Sequence, residues 1–183
     1  MARVHRRRGL VIAVLAVVAA AGVMFFRSRP EMLIADFVEQ LRAARKQPAG
    51  AAFDVTDVTI DGQTKRSIVA RDQTRLTYHV TLPRHAALHV AMALAPQVWT
   101  QPGDGVLFLI GVSDGHSYQT LQSIVIDPHG ARAHQQWYDA TFSLEEYAGL
   151  TVDIILNTRA GEAPTATTLN DVAVWGAPRV VAR

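Results

Sequence analysis

The chain has 183 residues, 49% of them hydrophobic, with no cysteine and a formal net charge of +2. Without cysteine there is no disulfide scaffold, thiolate metal site, cysteine nucleophile or cysteine-linked lipid. Six of the 18 Lys and Arg precede residue 30 and all 16 Asp and Glu follow it, so the rest of the chain carries 12 cations against 16 anions, a net −4; nucleic acid, which calls for a basic face, is excluded as a partner.

Residues 1–8 form a basic stub with Arg3, Arg6, Arg7 and Arg8. Gly9 to Phe26, GLVIAVLAVVAAAGVMFF, then runs 18 positions without a charge. As a helix that is about 27 Å long, close to the roughly 30 Å hydrocarbon core of a bilayer. Only Arg27 and Arg29 follow, so the heavier basic flank stays in the cytoplasm and the C-terminal part lies outside. A cleaved signal peptide with Ala19–Ala21 as the small-residue site competes with this reading. The apolar run exceeds the usual h-region of about 7–15 residues, which favours a retained anchor. The location implied is a bacterial inner membrane, with the domain in the periplasm or outside the cell.

Residues 27–50 read as a short amphipathic linker helix. Ser28 is its cap, Pro30 and Glu31 suit its first turn, and Ile34, Phe37, Val38 and Leu41 recur at helical spacing. Its apolar stripe, with Phe37 at the centre, packs on the domain or faces lipid or a neighbouring membrane protein.

From residue 51 to 183 the period changes to two. FDVTDVTIDGQTKRSIVA is two strands around Asp61-Gly62, a strong hairpin dipeptide. RLTYHVTL alternates, with Leu76, Tyr78, Val80 and Leu82 on one face and Arg75, Thr77, His79 and Thr81 on the other. Further strands are expected at Ala87–Leu94, Val106–Val112, Tyr118–Ile126, Trp137–Phe142, Val152–Thr158 and Asp171–Val181, separated by Pro, Gly and Asp turns. Many short strands with regular turns predict an all-β sandwich. Ser143 to Gly149 reads as a corner between two sheets: the serine meets free backbone donors, Tyr147 plugs the core, and Gly149 supplies a positive φ.

WYDATFSLEEYAGLTVDIILNT, followed by NDVAVWGAPRVV, resembles the closing strands of galactose-binding-like jelly rolls, the fold of carbohydrate-binding modules; PGDGVLFLIGV resembles one of their central strands. The likeness covers most of Phe53 to Val181. It implies a jelly-roll β-sandwich of the kind appended to exported enzymes and membrane glycosyltransferases, and it carries no catalytic residue across.

No reactive constellation emerges from the residues. His85 and His89 sit about 13 Å apart along a strand, too far to share one metal. Ser113 and Ser117 lack a nucleophile-elbow setting, and nothing selects a carboxylate pair from Asp104, Asp114, Asp139 and Asp153. Jelly rolls of this resemblance often hold a structural calcium. Asp54, Asp57, Asp61, Asn170 and Asp171 are the oxygen donors for one, with turn and edge roles as the alternative. No other cofactor is implied.

Two surfaces are candidates for binding. Trp99, in a loop, offers a flat face to a sugar ring. Leu107 and Leu109 make the Val106–Val112 strand apolar on both sides, to be covered within the fold or by another protein. The leading expectation is a non-catalytic, single-pass accessory or scaffolding subunit docked on a membrane-protein complex. A membrane-anchored carbohydrate-binding module for cell-envelope glycan is the alternative.

Overall fold

The computed structural model describes residues 30–71, 73–161 and 166–183. The basic stub and the apolar segment Gly9–Phe26 lie outside them. No helix among the described residues is long and apolar enough to cross a membrane. These residues form eleven strands: β1 Met32–Asp36, β2 Arg45–Gln47, β3 Phe53–Ile60, β4 Gln63–Arg71, β5 Thr74–Thr81, β6 Ala86–Leu94, β7 Val106–Ser113, β8 Tyr118–Ile126, β9 Tyr138–Ser143, β10 Thr151–Ala160 and β11 Val172–Ala182. Two antiparallel sheets result. One has the order β3-β4-β11-β6-β9, with β1 also on β11; the other runs β2-β5-β10-β7-β8.

The strands expected after residue 51 are all present, within one or two residues of their expected ends. Asp61 and Gly62 both take positive φ, 48° and 75°, as a two-residue type I′ hairpin requires. The alternation along β5 holds for its apolar side, where Leu76, Tyr78, Val80 and Leu82 are buried. Thr77, expected to be wet, is buried as well. The core is the space between the sheets, where Phe108 of β7 meets Trp175 of β11 edge-to-face at 5.0 Å.

The corner also forms. Ser143 Oγ accepts the Glu145 N–H at 3.4 Å, and Glu145–Tyr147 make one 3-10 turn. Tyr147 is buried with its hydroxyl on Gln119, and Gly149 has φ +83°. The chain thereby passes from β9 in one sheet to β10 in the other.

No linker helix forms among the described residues 30–50. Residues 32–47 belong to the sandwich, which therefore begins at Met32 and not at residue 51. β1 pairs with the second half of β11, β2 pairs with β5, and only a 3-10 turn, Glu39–Arg42, lies between them. Asp36 ends β1 by accepting the Val38 and Glu39 N–H groups at 2.9 and 3.3 Å. The helical spacing of apolar residues reflects this turn: Phe37, Val38 and Leu41 all point into the core. An isolated helix of this length is marginal in water, and pairing with two waiting sheet edges overrides it. Phe37 thus faces neither lipid nor a partner; it is fully buried and stacks on Tyr78 at 4.1 Å, 6° from parallel.

Candidate functional site

The site is built on the outer face of the six-stranded sheet. Along β6, Leu88, Val90, Met92 and Leu94 fill the core and Ala87, His89, Ala91 and Ala93 lie on the opposite side, where Ala87 and His89 are half-buried and Ala91 and Ala93 are covered. Register then sets rows across the face. His89 stands opposite Arg179 of β11 and Thr141 of β9, while Ala87 stands opposite Val181 and Ser143. Small residues on β6 leave a trough between taller neighbours.

A cavity of about 470 Å³ opens here, lined among others by Glu31, His85, His89, Thr141, Glu145 and Arg183. A second, of about 100 Å³, shares His89 and Thr141 and extends the trough to Lys65, Asp139 and Arg179. At the first end Arg183 donates to Glu31 at 2.8 Å, and this bond, above all other influences, holds the Glu31 carboxyl below the usual carboxylate range. His85 takes φ 57° in the turn before β6. Glu145 accepts its backbone N–H, and the ring Nδ1 lies 3.4 Å from the same carboxylate.

The other end is closed by an arm. β4 pairs with β11 only as far as Gly176. Past the irregularity at Ala177, where φ is 44°, β1 takes its place beside β11. The tip of the β3–β4 hairpin is free to reach β9: Lys65 donates to Asp139 at 2.8 Å, and the Trp137 indole N–H donates to the Gln63 carbonyl at 3.1 Å. Because β6 separates β11 from β9, these contacts carry the arm across the outer face. Gly176 makes room for it. A methyl there would meet the Trp137 ring at 2.8 Å and Lys65 Cδ at 3.0 Å. Both side chains are tied down, so Gly176→Ala is expected to cost roughly 1–3 kcal/mol as an overpacking change. A lower urea midpoint at unchanged m is the readout. Gly111→Ala is the contrast: the three nearest atoms to its methyl all belong to the side chain of Tyr118, which is 51% exposed and can swing away.

None of the residues picked from the sequence for binding lines this trough. Trp99 is half-buried at the end of a 3-10 turn, its indole N–H spent on the Leu94 carbonyl at 2.9 Å. Leu107 and Leu109 lie on the outer face of the other sheet and are half-buried. His85 and His89, set aside as too far apart for one metal, line one cavity. The missed residues Glu31, Arg179 and Arg183 come from the ends of the described chain. The legible signal for them was the small–polar alternation Ala87, His89, Ala91 on β6.

The five calcium candidates fall into two sets. Asp54, Asp57 and Asp61 lie along β3 and its turn, and Asn170 and Asp171 precede β11. Asp54 pairs with Arg71 and Asp57 with Arg66, at 3.4 and 3.5 Å. Asn170 donates to the Pro102 carbonyl at 2.6 Å, and Asp171 is buried. Among the described residues no three His, Asp or Glu side chains converge on one point.

No known family profile matches the sequence. An uncharacterized protein of Archaeoglobus fulgidus is 35% identical over 102 residues, 55% of this chain and 25% of that protein. The chain thus spans about a quarter of the relative it matches. Among solved structures it is similar to a family-51 carbohydrate-binding module of a Clostridium perfringens family-95 glycoside hydrolase, solved with methyl-galactose. Identity is 9% and the TM-score 0.50, over 70% of this chain and 80% of that one. It is also similar to the Clostridium perfringens ZmpB structure that joins an M60 catalytic domain to two such modules, with 9% identity and TM-score 0.51 over 75% and 14%. The tandem family-22 modules of Paenibacillus barcinonensis Xyn10C give 13% and 0.50 over 85% and 51%. At these identities the likeness is one of fold. The domain shares the jelly-roll fold of these carbohydrate-binding modules, the fold that the closing-strand motifs implied.

Proposed function

We propose that the chain is a non-catalytic glycan-binding domain, held at a membrane by residues 9–26, whose ligand lies in the trough on the outer face of the six-stranded sheet. The observation that carries this reading is the trough itself. At about 470 Å³ the main cavity falls in the usual range for small-molecule sites. Its floor is apolar, from Ala87 and Val181, and hydroxyl, imidazole, carboxylate and guanidinium groups surround it. A sugar needs that mixture, since each ring offers hydroxyls at its rim and C–H groups on its face. The jelly-roll likeness to carbohydrate-binding modules supports the same reading over a scaffolding role. The test is a titration of the full chain with a panel of cell-envelope saccharides, followed for the best ligand with His89→Ala and Trp99→Ala. Binding lost with His89→Ala and kept with Trp99→Ala is expected. Failure of every saccharide to bind overturns the reading.

One observation favours the docking-subunit reading as a second choice. Met32 and Leu33, where the chain enters the sandwich, are 61% and 56% exposed. Large apolar side chains so placed suit a partner in the same membrane, and tethering would let a modest contact suffice. Native gels after gentle detergent extraction distinguish this reading by showing a larger assembly.

A further inference from the structure

We infer that the trough selects acidic sugars, with the Arg179 guanidinium as the group that receives the ligand's carboxylate or phosphate. This inference rests on the glycan-binding reading and gives its ligand a chemical class.

Most charges in and around the trough are already committed. The domain is acidic overall, with 12 cations against 16 anions after residue 29. In the trough, however, every carboxylate has a partner. Glu31 is held by Arg183, Asp139 by Lys65, and Glu145 by the backbone and ring of His85. Arg179 lies between these pairs, in the row that joins the two cavities. It makes no salt bridge with any described residue; its charge reaches the Glu31 carboxyl only as the smallest of the influences that lower it, and the hydrogen bond from its Nη1 goes to the carbonyl of Ala177 at 3.3 Å. The nearest rival in register is Asp36, opposite Arg179 on β1. That carboxylate turns back on its own chain to cap Val38 and Glu39.

A guanidinium carries five donors in a fixed fork that matches a carboxylate or phosphate in two-point contact. With one donor spent locally, the fork keeps enough for such a contact. His89, its cross-strand neighbour, and the Thr141 hydroxyl beyond it extend the row of polar groups along which the rest of a sugar ring would lie. Neutral sugars leave this guanidinium without its best partner. An acidic one fills it, and charge-assisted hydrogen bonds are about twice as strong as neutral ones.

The test measures binding of matched pairs to the full chain in detergent: trigalacturonate against its methyl ester, and galactose 6-phosphate against galactose. At least a tenfold preference for the acidic member of either pair is expected, and which pair shows it distinguishes carboxylate from phosphate. The preference should shrink with added salt and vanish in Arg179→Gln. Arg179→Lys should restore part of it. Thermal unfolding of each variant verifies that it remains folded. Equal binding of acid and neutral members overturns the inference while leaving the glycan reading standing. So does a preference that Arg179→Gln leaves intact in a folded variant. Absence of binding to all four saccharides, with none found in the wider panel, overturns both.

Discussion

Phe37→Ala is expected to destabilise the domain by about 3–5 kcal/mol, among the largest losses any single truncation in this chain would produce. The ring is fully buried and lies flat on Tyr78, a stacked pair 4.1 Å apart that joins the N-terminal segment to the middle of the core. Removing it forfeits the transfer energy of an aromatic side chain and leaves a cavity that the rigid sheets on either side cannot close. A domain of this size loses roughly 2–4 °C of melting temperature per kcal/mol, so the drop should be of order 10 °C. Tyr78→Phe is the matched control. It keeps the stack and removes a buried hydroxyl that has no hydrogen-bond partner among the described residues, so it should change stability by less than about 1 kcal/mol. If Phe37 instead lay on an amphipathic linker outside the domain, its truncation would be nearly silent. A chain begun at residue 51 tests the same point more severely. It lacks β1, β2 and Phe37 together, and should not give a cooperative transition.

That contrast marks where the sequence could be read and where it could not. Asp61-Gly62 announces its hairpin because the turn needs two residues that tolerate positive φ, and that chemistry is complete within four residues. The corner from Ser143 to Gly149 is legible for the same reason: capping oxygen, plug and hinge are all local. β7 and β10 show themselves as short, largely apolar runs bounded by turn residues, a property of each segment alone. β1 is different. Its partner is the last strand of the domain, at the opposite end of the chain, so nothing near Ile34 or Phe37 says that an extended conformation will be rewarded. Only the spacing is visible locally, and one 3-10 turn produces the same spacing as the start of a helix. The trough was hidden by the same kind of distance. Along the strand His89 has His85 four residues away, whereas its neighbours across it are Arg179 and Thr141. The arm that closes the trough depends on an irregularity at Ala177, on the missing side chain of Gly176, and on a Lys65–Asp139 bond spanning 74 positions. The family likeness was legible because it lies in the closing strands, which are contiguous. It describes the fold, whereas the site is assembled from side chains that the likeness does not specify.

Gly105→Ala should cost roughly 3 kcal/mol, from two sources that can be separated by measurement. The residue precedes β7 with φ +84°, where a side chain adds about 1–2 kcal/mol of local strain. A methyl there would also come within 2.6 Å of Asp127 Cβ, 2.8 Å of the Ile126 carbonyl oxygen and 2.9 Å of Asp127 Cα. Those are backbone atoms and a Cβ, which have no rotamer by which to withdraw, so an overpacking penalty of about 1–3 kcal/mol adds to the strain. Gly62→Ala isolates the first source. It has φ +75° and nothing within 4 Å of the added carbon, so its cost should stay near 1 kcal/mol. If the two variants lose equal stability, packing against Asp127 contributes nothing. The expected difference matters because Asp127 is itself fixed: its Oδ1 accepts the His129 and Gly130 N–H groups at 3.0 and 3.1 Å. Next to Gly105, Asp104 Oδ2 accepts the Thr167 N–H at 2.8 Å. Loops from three parts of the chain thus meet there by direct backbone approach, and stiffness at this end of the sandwich holds β7 in register without any contribution from the trough. Gly105→Ala should therefore lower the melting temperature while leaving saccharide affinity of the folded fraction unchanged, whereas Arg179→Gln should do the reverse.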